Sequence, residues 1–137
     1  MEINIRKTSL EEIAALRVLF LQENNFQFIY NKCHQFGWAD VYLFVKDGIH
    51  IGYGSVWGKD KRQDRDTIFE FYLLPLYRKL SNLIFPEFYV ASAVSFIGCQ
   101  SNDVFLTSML YEYCRDINAE AILFKDHFTM SSFIISI

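Results

Sequence analysis

The sequence predicts a single α/β (α+β) domain, and three observations lead to this class. The chain has 137 residues, is 52% hydrophobic and carries a net charge of −3, which is typical of one globular core and excludes intrinsic disorder. Two β-rich runs, 41–46 and 49–57, flank Asp47-Gly48, a pair that tolerates the tight primed turn of a hairpin. A nearly continuous apolar run at 67–74 is typical of a central strand covered on both faces.

Strands and helices alternate along the chain. Ser9 and Glu12 match a capping box, which satisfies unpaired amides at a helix start, and Asn102 or Asp103 can cap a later helix. Pro86 is expected to kink or divide its helix, because proline has no backbone donor. The predicted elements are a strand at 2–7, helices at 10–23 and 26–36, strands at 41–46, 49–57 and 67–74, a helix at 78–93, a strand at 95–99, a helix after residue 103, and strands at 121–125 and 133–137.

Three glycines have predicted structural roles. Gly37 is expected to follow the end of the second helix, where a left-handed residue is common. Gly52 and Gly54 lie inside a predicted strand and indicate a bulge or a close approach of backbone or ligand.

Composition and charge exclude several classes of function. The chain has 13 Lys and Arg against 16 Asp and Glu, so it lacks the basic surface that nucleic acid requires. No run approaches the roughly 18 apolar residues of a membrane span, and the N-terminus lacks a signal-peptide pattern; we therefore expect a cytoplasmic protein. Cys33, Cys99 and Cys114 are an odd number without a close pair, which favours reduced core residues over disulfides or a metal site.

The segment 71–78, FYLLPLYR, resembles motif A of the GNAT (Gcn5-related N-acetyltransferase) superfamily, where a central strand ends in an apolar-x-Pro-x-Tyr-Arg sequence. The order of predicted elements resembles that of the family from residue 2 to about residue 128. The resemblance implies a mixed, mostly antiparallel central sheet flanked by helices. It also implies acetyl-CoA as co-substrate and transfer of its acetyl group to a primary amine of a small molecule or peptide.

The resemblance also implies which residues hold acetyl-CoA. In the family, amides at the helix start after this strand bind the pyrophosphate, because unpaired amides and the helix dipole form an anion site. By this resemblance, the amides of Leu73 and Leu74 hold the pantetheine arm. The further residues expected at the cofactor are Arg78, Lys79, Leu80, Ser81, Asn82, Leu83 and Asn102. The family's glycine-rich turn is replaced here by RKLSNL, so the expected cradle of vacant amides must form without glycine.

Glu70 and Tyr111 match the positions of the family's catalytic groups. Glu70 is expected to be the general base, with a pKa raised by partial burial; alternatively, it is a structural carboxylate that faces solvent or pairs with Arg65. Tyr111 is expected to protonate the leaving thiolate; alternatively, it is a core aromatic.

Two functions therefore fit the sequence. The first is an acetyltransferase; the second is a catalytically degenerate GNAT-fold binding or dimerisation module whose phosphate turn is filled by Leu80 and Leu83. The 14 Phe, 8 Tyr and 2 Trp predict an exposed aromatic patch and hence a homodimer or partner surface. The single domain is expected over residues 1–137, and its apolar end fits either a last strand or an interrupted reading frame that truncates the C-terminus.

Overall fold

The computed structural model describes residues 2–24, 31–58, 60–100, 102–125 and 128–136, and from residue 118 onward the backbone alone. Its elements are β1 Ile3–Thr8, α1 Leu10–Glu23, α2 Asn31–Gln35, β2 Ala39–Lys46, β3 Ile49–Trp57, β4 Thr67–Leu73, a 3₁₀ helix Pro75–Leu80, α3 Ser81–Ser92, β5 Phe96–Gln100, α4 Val104–Tyr113, β6 Asp116–Lys125 and β7 Phe128–Ser136. The order of strands and helices agrees with the sequence prediction.

The seven described strands form one sheet in the order β1-β2-β3-β4-β5-β7-β6. Neighbouring strands are antiparallel except β4 and β5, which are parallel. The predicted mixed, mostly antiparallel sheet is therefore confirmed.

Within the described residues, no helix is long and apolar enough to cross a bilayer.

The two parallel strands separate soon after they meet. β4 and β5 pair only at Thr67 with Phe96 and at Ile68 with Ile97, whereas β5 remains paired with β7 as far as Gln100. The second half of β4 therefore borders a gap in the sheet. In open α/β sheets, ligands bind beyond the carboxyl ends of strands at such places.

Each face of the sheet has its own hydrophobic cluster. Phe71 packs in the cluster that includes Phe88 of α3 and Leu106 of α4, whereas Tyr72 packs in the cluster that includes Phe20 of α1. Successive residues of a strand point to opposite faces, so α3 and α4 cover one face and α1 covers the other.

The structure confirms the predicted hairpin turn, the predicted helix end at Gly37 and a close approach at Gly54. Asp47 and Gly48 have φ values of 50° and 82°, as the predicted primed hairpin turn requires. Gly37 has a φ of 70° and donates its amide to the carbonyl of His34 at 3.3 Å. At Gly54, an added Cβ would lie 2.3 Å from the Phe88 ring, so the absence of a side chain admits that ring against the sheet.

Two helices differ from their predicted form. The described part of the second helix is α2, Asn31–Gln35, and predicted residues 26–30 lie outside the described residues. The third helix is continuous through Pro86, so the expected division of the helix at this residue is wrong. The backbone donor that Pro86 lacks would have bonded Asn82, whose carbonyl instead accepts a hydrogen bond from the Tyr113 hydroxyl at 3.4 Å.

Candidate functional site

A cavity of about 440 Å³ lies at the gap beside β4. This volume is within the roughly 300–1,000 Å³ range of small-molecule sites. The end of α1, the end of β4, the 3₁₀ helix and the start of α4 form its wall. The lining residues are Phe20, Glu23, Asn24, Phe71, Tyr72, Arg78, Asn102, Asp103, Val104, Phe105 and Ser108.

Residues from both faces of the sheet line this cavity. Phe71 belongs to the cluster on the α3 and α4 face, and Tyr72 belongs to the cluster on the α1 face, yet both line the cavity. The cavity can be lined from both faces because β4 and β5 do not pair beyond Ile68 and Ile97. Two reactants could therefore approach one another from opposite faces.

Aromatic rings form much of the cavity wall. Phe71 and Phe105 are stacked, with centroids 5.3 Å apart and planes 28° apart, and Phe20 meets Tyr72 edge to face at 6.0 Å. Aromatic pairs in such geometries hold one another in place. The site therefore has rigid apolar walls with a few polar groups between them.

Arg78 lies across the cavity and joins three elements. Its Nε donates to the carbonyl of Leu73 at 3.0 Å, and its guanidinium forms an ion pair with Glu23 at 2.5 Å. The hydrogen bond from Arg78 to the Glu23 carboxylate raises the pKa of Arg78, with burial acting in the opposite direction. The Leu73 carbonyl lies in the part of β4 that has no β5 partner, and Arg78 supplies its donor.

The turn after β4 differs from the expected phosphate cradle. The Tyr77 amide donates to the Leu74 carbonyl at 2.8 Å, and the Ser81 amide donates to the Arg78 carbonyl, because the 3₁₀ helix runs directly into α3. The expectation of vacant amides is therefore wrong at Tyr77 and Ser81. Without glycine, Leu80 and Ser81 keep right-handed backbone angles (φ −91° and −58°), which continue the helix instead of opening a loop.

The expected cofactor residues are dispersed around this turn. Leu80 packs against the core and Ser81 is buried, whereas Lys79 and Leu83 are exposed. The Asn82 side chain accepts a hydrogen bond from the Tyr113 hydroxyl at 3.0 Å.

Three further expected cofactor residues lie at or near the strand end. The Leu74 amide already donates to the Ile51 carbonyl at 2.8 Å, so it is not an open donor for pantetheine. Arg78 and Asn102 line the cavity.

Glu70 lies at the centre of a buried polar network. Its carboxylate accepts hydrogen bonds from Arg17 at 3.1 Å, Ser55 at 3.0 Å and Tyr53 at 3.3 Å, and lies 2.8 Å from His34 Nε2. A register shift between Ser55 and Val56 of β3 places an extra residue in β4 just before Glu70. Glu70 lies on the same side of β4 as Tyr72, which packs against α1, and Arg17 and His34 enclose it there.

The predicted pKa shift of Glu70 is wrong in direction. Burial raises the pKa, but the hydrogen bond and charge of His34 together with those of Arg17 outweigh it, so the pKa of Glu70 lies below its ordinary value. Glu70 is also fully buried rather than half-buried, with 2% exposure. Its arginine partner is Arg17; Arg65 instead lies 3.3 Å from Asp40.

Tyr111 lies on the outside of α4. Its side chain is 65% exposed, and it is not among the residues that line the cavity, so the alternative of a core aromatic is wrong. Among the α4 residues that line the cavity, Ser108 is the nearest in sequence to Tyr111.

The exposed aromatic residues of the described part are Phe36 and Tyr111, which lie on the turn after α2 and on α4.

Asp103 was predicted only as a helix cap, and the structure also places it in the cavity wall. Its carboxylate accepts the Leu106 amide at 3.1 Å, which confirms the cap. Burial raises the pKa of Asp103 to about 7; the Leu106 hydrogen bond acts against this, and the charges of Glu70 and Glu23 add to it. In the sequence, the feature that could have indicated a site residue is its position just after β5, the strand that separates from β4.

No cluster of metal-ligating side chains occurs among the residues with described positions.

The structure resembles solved acetyltransferases along the whole chain. Ard1 from Thermoplasma volcanium has a TM-score of 0.63 and 11% identity over 100% of this chain and 99% of that chain. A GNAT family acetyltransferase from Elizabethkingia anophelis, solved with acetyl-CoA bound, has a TM-score of 0.60 and 9% identity over 98% of each chain. An N-acetyltransferase from Staphylococcus aureus has a TM-score of 0.58 and 11% identity over 100% of this chain and 98% of that chain. At the sequence level, no family model and no curated protein matches.

Proposed function

We propose that this chain, which has the GNAT fold, is an N-acetyltransferase that moves the acetyl group of acetyl-CoA to a primary amine of a small molecule or peptide. The observation that carries the proposal is the cavity that opens where β4 and β5 separate. A thioester entering from one face and an amine entering from the other would meet there. Holding two reactants in contact supplies much of the catalysis in such transfers.

Acetyl-CoA fits the cavity better than it fits the turn. The thioester and pantetheine arm are slender and combine methylene and methyl groups with two amides, which suits a cavity that has Phe20, Phe71, Tyr72 and Phe105 in its wall with a few polar groups between them. The turn contributes side-chain charge in place of an amide cradle, from Arg78 and Lys79. For Arg78 to contact phosphate, phosphate oxygens must replace the carboxylate of Glu23 as its partner.

Glu70 as general base and Tyr111 as general acid remain predictions. The enclosed carboxylate of Glu70 favours a positioning role, in which it ties α1, α2 and β3 to β4. The exposure of Tyr111 makes solvent its main contact.

Calorimetric titration with acetyl-CoA and with CoA tests the proposed function. We expect wild type to bind both, and Arg78→Ala to bind at least several-fold more weakly, because charge-assisted contacts to phosphate are strong. Arg6→Ala is the matched control: it also removes an arginine from an ion pair, with Glu12, but Arg6 lies on β1 and does not line the cavity. No binding by wild type at millimolar ligand would refute the proposal.

The helical form of the turn supports a second candidate, the catalytically degenerate binding or dimerisation module. In that case the Arg78–Glu23 ion pair is a permanent brace between α1 and the turn. The distinguishing result is a folded protein that ignores millimolar acetyl-CoA and forms a dimer in sedimentation experiments.

A further inference from the structure

Two buried carboxyl groups lie near the gap in the sheet, and their surroundings differ. Glu70 is enclosed by Arg17 and His34, which stabilise its negative charge. Asp103 lies at the cavity wall with 3% exposure. Among the described residues, no lysine or arginine forms a salt bridge with Asp103.

The groups around Asp103 set its protonation behaviour. Glu23 at the end of α1, Glu70 of β4 and Arg78 of the 3₁₀ helix are the charged groups that act on it, and Tyr53 and Cys99 are the nearby weak acids that its charge affects. Burial is the largest influence, and the pKa of Asp103 is about 7. A substantial fraction of this carboxyl group is therefore ionised near neutral pH, and it can still take up a proton there.

We infer that Asp103 is the general base that accepts a proton from the acceptor ammonium group in the cavity. The inference rests on the proposed acetyl transfer and names the residue that makes its nucleophile. Three observations carry it: Asp103 lines the cavity, no cation of the described part is paired with it, and the other buried carboxylate is already enclosed. An amine must lose a proton before it can attack, because the ammonium form has no lone pair.

Acetyl transfer with Asp103 as the base conserves atoms and charge. The Asp103 carboxylate takes one proton from the ammonium nitrogen, and the freed lone pair forms a C–N bond to the thioester carbonyl carbon. Collapse of the tetrahedral intermediate breaks the C–S bond, and the thiolate leaves with that electron pair. The thiolate takes the second proton from the protonated amide nitrogen, giving amide and CoA thiol. Asp103 returns its proton to solvent before the next turnover.

The test compares wild type with Asp103→Asn across pH, using acetyl-CoA and benzylamine as probes and released thiol as the signal. Benzylamine suits the aromatic wall of the cavity. Asn keeps a side-chain oxygen for the Leu106 amide, so the cap should survive. For wild type we expect kcat/KM to rise with pH through a limb near 7. For Asp103→Asn we expect that limb to disappear and the rate at pH 7 to fall about 10²–10⁴-fold.

Two controls separate catalysis from folding. Asp116→Asn makes the same chemical change at an exposed position and should leave the profile unchanged. Acetyl-CoA affinity and the thermal midpoint of Asp103→Asn should match wild type. If Asp103→Asn fails to fold, Asp103→Ser replaces it, because serine is also a good cap and cannot accept the proton.

The outcomes are distinguishable. An Asp103→Asn variant that keeps the limb near pH 7 overturns this inference and leaves the acetyltransferase proposal standing. Loss of the limb in Glu70→Gln with its retention in Asp103→Asn returns the role of base to Glu70. If wild type transfers no acetyl group at any pH, the proposed function fails and the inference fails with it.

Discussion

Replacing Glu70 by glutamine should strongly destabilise the fold. The change leaves Arg17, whose guanidinium lies 3.1 Å from Glu70 with 11% side-chain exposure, as a buried cation without its counter-charge. His34, with 2% side-chain exposure, loses the same partner. Removing one member of a buried pair typically costs about 3–5 kcal/mol. For a chain of this size, that lowers the thermal midpoint by roughly 10–15 °C.

Urea unfolding at pH 7 measures this loss of unfolding free energy. The double variant Glu70→Gln/Arg17→Met supplies the control, because it removes the stranded guanidinium as well. We expect the double variant to recover part of the stability lost by Glu70→Gln alone, since well-packed neutral groups replace buried ion pairs at little cost. The two substitutions should therefore be clearly non-additive.

The effect should also depend on pH in a defined direction. The folded-state pKa of Glu70 lies below the ordinary value of 4.5, so the stabilisation is complete above that value and declines as pH falls through the folded-state pKa. Below pH 4.5, the difference in unfolding free energy between wild type and Glu70→Gln should narrow as the pH falls. A loss under about 1 kcal/mol at pH 7, or a difference that widens as the pH falls below 4.5, would refute the network as described.

Three further changes test other parts of the structure. Gly54→Ala should cost about 1–3 kcal/mol in urea unfolding, because its Cβ would lie 2.3 Å from the Phe88 ring; equal stability would contradict that packing. Glu23→Gln should raise CoA affinity up to about fivefold in calorimetry, because Arg78 no longer has a competing partner, and weaker binding would contradict this. Tyr111→Phe should leave any transfer rate within about twofold, because Tyr111 is exposed and is not among the residues that line the cavity; a larger loss would support Tyr111 as the acid.

Local backbone chemistry explains which parts of the fold the sequence could predict. The Asp47-Gly48 turn requires positive φ at both residues, and few residue pairs accept that. The side chains of Ser9 and Asp103 bond the amides three residues ahead, so their spacing alone indicates a helix start. The apolar run of β4 likewise implies a strand that is buried on both faces.

The environment of Glu70 could not be predicted in the same way. Its partners Arg17 and His34 are 53 and 36 residues away in sequence, so the contact depends on tertiary packing and not on local sequence. The sequence indicates that the carboxylate is partly buried, and burial alone raises the pKa of a carboxyl group. The pKa of Glu70 falls below its ordinary value only because Arg17 and His34 both contact it. That contact depends on how α1 and α2 pack against the sheet.

The absence of glycine after Pro75 has consequences that reach across the site. Because Leu80 and Ser81 stay in right-handed conformations, the turn becomes a 3₁₀ helix whose amides at Tyr77 and Ser81 are already bonded. The Arg78 side chain is then turned back over the strand end, where it bonds Leu73 and Glu23. An anion that enters this site must therefore be held by side-chain charge, which salt screens. In the same arrangement Glu23 pairs with Arg78, whereas Asp103 has no salt-bridge partner among the described residues. Of the two carboxylates that line the cavity, Asp103 is therefore the one left to accept a proton.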